Sequence, residues 1–170
     1  MLTVIIGGSG SGKSVWAEAL VRKLEGERIY LATMAAEDPE SLRRIARHRK
    51  QRENLGFATV EQPLCLRDAA IPADANVLLE DLSNLLANEM FLPSGGGVDA
   101  VRRGLDHLIA ACGNLTVVTN EIFSGGAEYA GETLAYMKNL AALNRELAAR
   151  ADLVVEIVCG LPNLLKGELP

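Results

Sequence analysis

The segment Gly7-Gly8-Ser9-Gly10-Ser11-Gly12-Lys13-Ser14 constrains the fold most, because it satisfies the pattern G-x4-G-K-S without exception. It directly follows an apolar run at residues 2–6 and directly precedes a helical pattern over residues 13–24. In such a P-loop, backbone N–H groups and the positive end of the helix surround phosphate groups. The motif therefore predicts a phosphate site in which Lys13 reaches the β- and γ-phosphates and the Ser14 hydroxyl ligates Mg²⁺.

The rest of the chain predicts an α/β fold around this motif. Further short runs rich in Val, Ile and Leu predict strands at residues 28–33, 57–60, 76–80, 115–119 and 153–158. Helices are predicted at residues 39–54 after Asp38, at residues 100–112 between Asp99 and Gly113, and at residues 132–150. This alternation is typical of a P-loop NTPase-like, doubly wound, mostly parallel sheet flanked by helices. No repeat or linker divides the chain, so we expect one nucleotide-binding domain over residues 1–170.

Charge and cysteine content exclude several classes of protein. The formal net charge of −5 argues against nucleic-acid binding, which usually needs a basic surplus. Cys65, Cys112 and Cys159 are odd in number and form no CxxC pair, so neither a disulfide framework nor a zinc site is indicated. No apolar run approaches the ~20 residues of a spanning helix, and residues 1–6 lack the basic leader of a signal peptide. We expect a cytoplasmic protein without a membrane-spanning segment.

A P-loop also needs a carboxylate to organise the metal, usually at the end of another apolar strand. Two predicted strands end in acids here: Glu80-Asp81 follows one, and Glu121 follows another. Each of these acids could instead be a helix N-cap or an ordinary loop residue. The sequence leaves the choice between them open.

His48 lies in the most basic segment, residues 43–52, which contains six Arg or Lys and no acid. A spacing of four places Arg44, His48 and Arg52 along one face of the predicted helix. Neighbouring cations keep an imidazole neutral and nucleophilic, and guanidinium groups stabilise charge on a phosphorus under attack. A covalent nucleotidyl-histidine is therefore chemically reasonable, although the pattern alone is more typical of a surface histidine. His107, in the middle of a predicted helix, is interpreted as structural.

Taken in order along nearly the whole chain, these motifs resemble the bifunctional adenosylcobinamide kinase/adenosylcobinamide-phosphate guanylyltransferase family of cobalamin biosynthesis. The P-loop by itself is generic, but the ordered set is specific to that family. Its members are residues 7–14, 30–34, Arg44-Ile45, His48, Arg52, Thr59, Glu61, residues 78–80, Asn88, residues 118–121, Asn144, Ala151-Asp152 and residues 160–162.

The resemblance implies that His48 is the guanylylated histidine of the family and that Lys13 is catalytic. It also implies that GTP is surrounded by residues 7–14 together with Ala32, Thr33, Met34, Arg49, Lys50, Gln51, Arg52, Glu61 and Glu80. Glu61 and Glu80 are then nucleotide contacts, whose carboxylates accept hydrogen bonds from ribose hydroxyls or guanine nitrogens.

The reaction implied by the resemblance has two steps. ATP or GTP, with Mg²⁺, phosphorylates adenosylcobinamide, and GMP from GTP is then transferred to that phosphate through His48, giving adenosylcobinamide-GDP. The implied partners are a small-molecule corrinoid and further copies of the same chain, as a homo-oligomer that could be a trimer.

The chain departs from the family pattern in two places, at residues 124–128 and at residues 136–139. The first reads Ser-Gly-Gly-Ala-Glu where the family has a Gly-x-Val-Pro-like stretch, and the second has Lys138 where the family has arginine. These changes concern the corrinoid side and leave the nucleotide side intact. Two alternatives therefore stay open: a monofunctional P-loop small-molecule kinase, and a GTP-binding regulatory protein with slow turnover.

Overall fold

The computed structural model describes residues 1–35, 42–43, 46, 55–125 and 128–169. The predicted helix at residues 39–54 therefore lies almost wholly outside the described residues, and so do His48, Arg49, Lys50, Gln51 and Arg52. The described elements, in chain order, are β1 (Leu2–Gly7), α1 (Lys13–Arg22), β2 (Arg28–Ala32), β3 (Ala58–Glu61), a 3-10 turn (Leu66–Asp68), β4 (Asn76–Glu80), α2 (Leu82–Phe91), α3 (Gly97–Ala111), β5 (Asn114–Asn120), α4 (Gly131–Arg150), β6 (Leu153–Val158) and β7 (Leu161–Lys166).

The strands form one sheet in the order β3-β2-β4-β5-β1-β6-β7. Every pairing is parallel except that of β7, which runs antiparallel to β6 along one edge. The predicted mostly parallel α/β fold is thus confirmed, and all six predicted strands are present. Because β1 lies between β5 and β6, the P-loop that follows it emerges near the middle of the carboxyl edge of the sheet. None of the described helices is long and apolar enough to cross a membrane.

Helices cover both faces of the sheet, as a doubly wound fold requires. One apolar cluster joins α2, α3 and α4 to alternate residues of the strands, and a second joins α1 to the other face. The side chains of Val4 and Val117 belong to the first cluster, whereas those of Ile5 and Val118 belong to the second. This alternation explains why the central strands are apolar along their whole length.

One α-helix and one strand were not predicted, and one cap was placed wrongly. The structure adds α2 and β7 to the predicted elements. Helix α3 begins at Gly97 with Gly96 as its N-cap, so the prediction that Asp99 caps this helix was wrong. Asp99 lies in the first turn instead, where its carboxylate pairs with Arg102 at 3.1 Å. Gly113 follows the helix end and lies against the carbonyl of Asp74, so close that an added Cβ would be 2.7 Å from that oxygen.

Candidate active site

The P-loop is supported from outside by the turn that joins β6 to β7. The backbone N–H of Gly160 in this turn donates to the carbonyl of Ser11 over 2.8 Å. Gly12 has a φ of 93°, and a Cβ added to it would lie 3.3 Å from the Cα of Gly160. A side chain at Gly12 would therefore strain its own backbone and press on the supporting turn.

Inside the loop, the side chains of Lys13 and Ser11 can each form further hydrogen bonds. Lys13 is only 7% exposed, and its ammonium group donates to the carbonyl of Gly8 over 3.1 Å, which uses one of its three N–H donors. The Ser11 hydroxyl is buried, and it finds no partner among the residues that the structure describes. Buried polar atoms of this kind are normally satisfied by a ligand or by water, so both groups fit a bound phosphate.

Ser14 and Glu80 meet beside this loop. The Ser14 hydroxyl donates to Oε1 of Glu80 over 2.7 Å, which joins the start of α1 to the end of β4. Burial, the largest cause, raises the pKa of the Glu80 carboxyl from 4.5 to about 7, against the lowering effect of the Ser14 hydrogen bond. The second oxygen, Oε2, is buried without a hydrogen-bond partner in the described part of the chain. A serine hydroxyl beside an unpartnered carboxylate oxygen is an oxygen donor set that suits Mg²⁺.

Asp81 has a different role from its neighbour. It is the N-cap of α2, where its side chain accepts from the backbone N–H of Asn84 over 2.7 Å. Burial raises the pKa of the Asp81 carboxyl as well. Its backbone is held by Thr33, whose hydroxyl donates to the Asp81 carbonyl over 2.7 Å and accepts from the Asp81 N–H over 2.8 Å. Asp81 thus matches the helix-cap interpretation, while Glu80 is the acid that meets the P-loop.

Glu121, the alternative acid, is turned toward its own loop. Its carboxylate accepts from the backbone N–H of Phe123 over 2.8 Å and from the Ser124 hydroxyl over 2.9 Å. Both carboxylate oxygens therefore hold local partners, as in an ordinary loop acid. Between the two candidates, the geometry favours Glu80 as the residue that organises a metal at the P-loop.

The predicted nucleotide contacts outside the P-loop fall on three neighbouring strands. In the sheet register, Ala32 of β2 lies opposite Glu61 of β3 on one side and opposite Glu80 of β4 on the other. Glu61 is exposed. Thr33 is fully buried, and its hydroxyl is hydrogen-bonded to the backbone of Asp81. Met34 follows and is half-buried. The structure thus brings Ala32, Glu61 and Glu80 into one row at the carboxyl edge of the sheet.

Asn88 connects two of the loops at this edge. From α2 its amide nitrogen donates to the carbonyl of Thr33 over 2.7 Å and to the carbonyl of Pro63 over 2.9 Å. Thr33 follows β2, and Pro63 lies two residues after Glu61 on the loop that follows β3. A single amide group therefore joins the loops that follow β2 and β3. These loops lie next to Glu61, a predicted contact of the guanine base or ribose, and we call this region the base end of the site.

A polar network that the sequence did not reveal extends from Asp81 toward α4. The side-chain amide of Asn120 donates to Oδ2 of Asp81 at 3.4 Å and to the Ser83 hydroxyl at 2.8 Å. The Tyr136 hydroxyl donates to the carbonyl of Ser83 over 3.1 Å. Burial, followed by the negative charge of Asp81, raises the pKa of the Tyr136 phenol. The available signal was the pattern Asp81-x-Ser83-Asn84, which is typical of a helix start.

His107 belongs to none of these groups. It lies on the exposed side of α3, where it lines a cleft together with Arg103 and residues of the 3-10 turn. None of these residues belongs to the P-loop or to the row of strand ends, which is consistent with the interpretation of His107 as structural.

Comparison with known proteins shows the family to which the chain belongs. The family model described as CobU, cobinamide kinase / cobinamide phosphate guanyltransferase, matches residues 3–165. The chain is 32% identical over 173 residues to the bifunctional adenosylcobalamin biosynthesis protein CobP of Pseudomonas aeruginosa, covering 99% of both chains. It is 32% identical over 185 residues to the bifunctional adenosylcobalamin biosynthesis protein CobU of Escherichia coli, covering 98% of this chain and 100% of that protein. Among solved structures, the P4 protein from bacteriophage phi6 in complex with ADP has a TM-score of 0.45 at 14% identity, over 95% of this chain and 52% of that one, a likeness too weak to carry an argument.

Proposed function

This chain belongs to the cobinamide kinase / cobinamide phosphate guanyltransferase family, and we propose that it phosphorylates adenosylcobinamide and then transfers GMP from GTP to the new phosphate. The product of the two steps is adenosylcobinamide-GDP. The observation that carries this proposal is the meeting of Ser14 with Glu80 at 2.7 Å beside the buried Lys13 of a P-loop. Phosphoryl transfer asks a protein chiefly for positioning and charge stabilisation, and this arrangement supplies both.

In the kinase step, the acceptor hydroxyl attacks the γ-phosphorus of ATP or GTP. A bond from the acceptor oxygen to phosphorus forms, the bond to the oxygen that bridges the β- and γ-phosphates breaks, and a nucleoside diphosphate leaves. The hydroxyl proton is released. Lys13 lies at the loop that surrounds the phosphates, where its ammonium charge offsets the negative charge on the β- and γ-phosphate oxygens.

Mg²⁺ fits this site on the evidence of its donor set. The Ser14 hydroxyl and Oε2 of Glu80, which is buried and without a partner among the described residues, would hold the ion. Bound there, it neutralises charge on the phosphate oxygens. The raised pKa of Glu80 means that this carboxyl must lose a proton to become a metal ligand at neutral pH.

In the guanylyl step, an imidazole nitrogen of His48 attacks the α-phosphorus of GTP. A phosphorus–nitrogen bond forms and pyrophosphate leaves, so the histidine carries GMP. An oxygen of adenosylcobinamide phosphate then attacks the same phosphorus, and the phosphorus–nitrogen bond breaks. His48 lies outside the described residues, so its role rests on the resemblance and on the six cations among residues 43–52.

The guanosine end of GTP is proposed to lie along the row of strand ends. Ala32, Glu61 and Glu80 are neighbours in the sheet register, and the exposed Glu61 carboxylate offers acceptors to guanine N–H groups or ribose hydroxyls. Met34 and residues 49–52 complete the predicted contacts. Thr33 is fully buried, and its hydroxyl, N–H and carbonyl are hydrogen-bonded to Asp81, Glu80 and Asn88, so we assign it a role in holding these strand ends together rather than a direct nucleotide contact.

The direct test is the intact mass of the purified protein after incubation with Mg²⁺-GTP, with His48→Ala as its control. A gain equal to GMP in the parent protein that is absent from His48→Ala and lost in acid supports the guanylyl step. Arg47→Ala provides a matched control, because it also removes a cationic side chain from the basic segment but leaves the proposed nucleophile and the proposed GTP contacts. A parent protein that gains no mass yet phosphorylates cobinamide is a monofunctional kinase, and one that binds GTP but transfers nothing is a regulatory protein.

We further propose that the chain forms a homo-oligomer, and the resemblance favours a trimer. All six residues of β7 are exposed, among them Leu161, Leu164 and Leu165, which is an apolar surface that a second copy could cover. Mass determination by light scattering tests this proposal.

All three cysteines are free and two are exposed, which fits the reducing cytoplasm as the compartment.

A further inference from the structure

We propose that an aromatic rim formed by Phe91 and Tyr136 binds the macrocycle of the corrinoid acceptor, an inference that rests on the proposed function. Phe91 is the last residue of α2, and Tyr136 lies in α4. Their ring centroids are 6.2 Å apart with 41° between the ring planes. The two side chains therefore form one continuous surface, shared by two helices on the same face of the sheet.

The exposure of this rim is unusual for the helix that carries it. Leu82, Leu85 and Leu86 of α2 are fully buried in the core, whereas Phe91 at the end of the same helix is 48% exposed. Leaving an aromatic ring in contact with water is unfavourable, so an exposed ring beside a ligand site indicates that the ligand covers it. Phe91 thus offers an apolar ring face that the core leaves exposed, beside the half-buried ring of Tyr136.

The rim is physically continuous with the phosphate site. Tyr136 donates to the carbonyl of Ser83, and the Ser83 hydroxyl accepts from Asn120, which also donates to Asp81. Asp81 directly follows Glu80, the partner of Ser14 in the P-loop. A short hydrogen-bonded path therefore leads from the rim to the carboxylates where the phosphates are proposed to bind.

The rim is carried by different elements from those that carry the proposed guanosine contacts. Those contacts lie on neighbouring strands, through Ala32, Glu61 and Glu80. The rim belongs to α2 and α4, which pack on the sheet face opposite α1. An acceptor on the rim would therefore use side chains that are not among the proposed base contacts.

The chemistry of the acceptor suits this surface. A corrinoid presents a broad, flat macrocycle with apolar faces, and from it extends the flexible arm that carries the reacting hydroxyl. Aromatic rings bind such surfaces by stacking and area burial at small cost in side-chain entropy. With the macrocycle on the rim, the hydroxyl arm extends along Ser83 and Asp81 toward the γ-phosphate.

The test is equilibrium binding of cobinamide to the full-length protein, followed by its visible absorbance, with kinase kinetics measured in parallel. We expect Phe91→Ala to weaken cobinamide binding and to raise the KM for cobinamide by roughly tenfold, the effect of losing one aromatic contact. The KM for GTP and the guanylylation of the protein should not change. Phe91→Tyr, which keeps the ring, should bind cobinamide like the parent protein. Leu169→Ala, a control at a similarly exposed apolar residue outside the site and outside β7, should do the same.

The outcomes separate this inference from the proposed function. If Phe91→Ala binds cobinamide as tightly as the parent protein does, the rim is not the acceptor site, although the proposed function stands. If Phe91→Ala instead changes the oligomeric mass while cobinamide binding is unaffected, a second copy of the chain covers the rim and the inference is overturned. A parent protein that takes up GMP but binds no cobinamide overturns both the proposed acceptor and the rim.

Discussion

The hydroxyl of Ser14 and the carboxylate of Glu80 are joined by a hydrogen bond of 2.7 Å, although they are 66 residues apart in the chain. Ser14 lies in the first turn of α1 and Glu80 ends β4, so the contact depends on the correct order of strands in the sheet. Burial holds the pKa of Glu80 at about 7, which makes its protonation responsive near neutral pH.

Glu80→Gln should change how stability depends on pH in the absence of Mg²⁺ and nucleotide. Because the pKa is raised from 4.5 to about 7 on folding, the stabilisation from this proton is complete below pH 4.5 and is lost as pH rises through 7. The parent protein should therefore lose up to about 3 kcal/mol relative to Glu80→Gln between these limits. Urea unfolding of both proteins at several pH values measures the difference. Parallel profiles would show that Glu80 has an ordinary pKa.

Ser14→Ala should impair both proposed reactions, because it removes a proposed metal ligand and the donor to Glu80. We expect a loss on the order of a hundredfold in kcat for the kinase and in the rate of guanylylation. Loss of this hydrogen bond should also move the pKa of Glu80 further upward, since the bond lowers it in the parent protein. Ser14→Thr, which keeps the hydroxyl, is the matched control. Activity measured across pH distinguishes the two variants, and equal activity in both would remove Ser14 from metal binding.

Asn88→Ala should loosen the base end of the site. It leaves the carbonyls of Thr33 and Pro63 without the donor that joins them, at a cost of about 2 kcal/mol in the free energy of unfolding. The KM for GTP should rise more than kcat falls, because the loops that position the base are affected rather than the phosphates. Asn139→Ala removes only a 3.6 Å contact with the sulfur of Met90, so it should leave the KM for GTP unchanged. Calorimetry of GTP binding to both variants checks this.

Gly12→Ala should abolish GTP binding while having a smaller effect on the free energy of unfolding. The added methyl group is strained at a φ of 93° and presses on Gly160, which supports the loop. Gly97→Ala is the matched control, since its φ is 69° and its Cβ would meet nothing within 4 Å. We expect that control to lose about 1 kcal/mol of stability and to bind GTP normally. Equal GTP affinities for the two variants would contradict the support role of Gly160.

Physical reasons explain why parts of the fold were predictable. The six buried parallel strands are continuous apolar runs, and such runs keep their signal whatever packs around them. Strand β7 gives no such signal, because Pro162 interrupts it and all of its residues are exposed. Helix α2 carries Leu82, Leu85 and Leu86 at helical spacing, yet it was not predicted. It directly follows β4, and Asp81 between them could be either a metal-binding acid or a helix cap.

The site was predictable only as far as its motifs are local. Residues 7–14 are contiguous, so the phosphate loop could be identified from the sequence. Glu80 and Glu121 could not be distinguished, because both end apolar strands and only the tertiary structure places one of them at Ser14. The contact between Tyr136 and Ser83 spans 53 residues and depends on how α4 packs, so no sequence pattern indicates it.

The position of β1 between β5 and β6 also sets the order in which the site can be completed during synthesis. The P-loop leaves the ribosome before both neighbours of β1, and the strand that presents it has no neighbour until residues 114–120 are made. Its other neighbour is β6, and the Gly160 amide that supports Ser11 comes later still. A nascent chain that ends before Gly160 therefore carries the complete phosphate motif without the completed loop, and nucleotide binding should appear only after Gly160 has emerged.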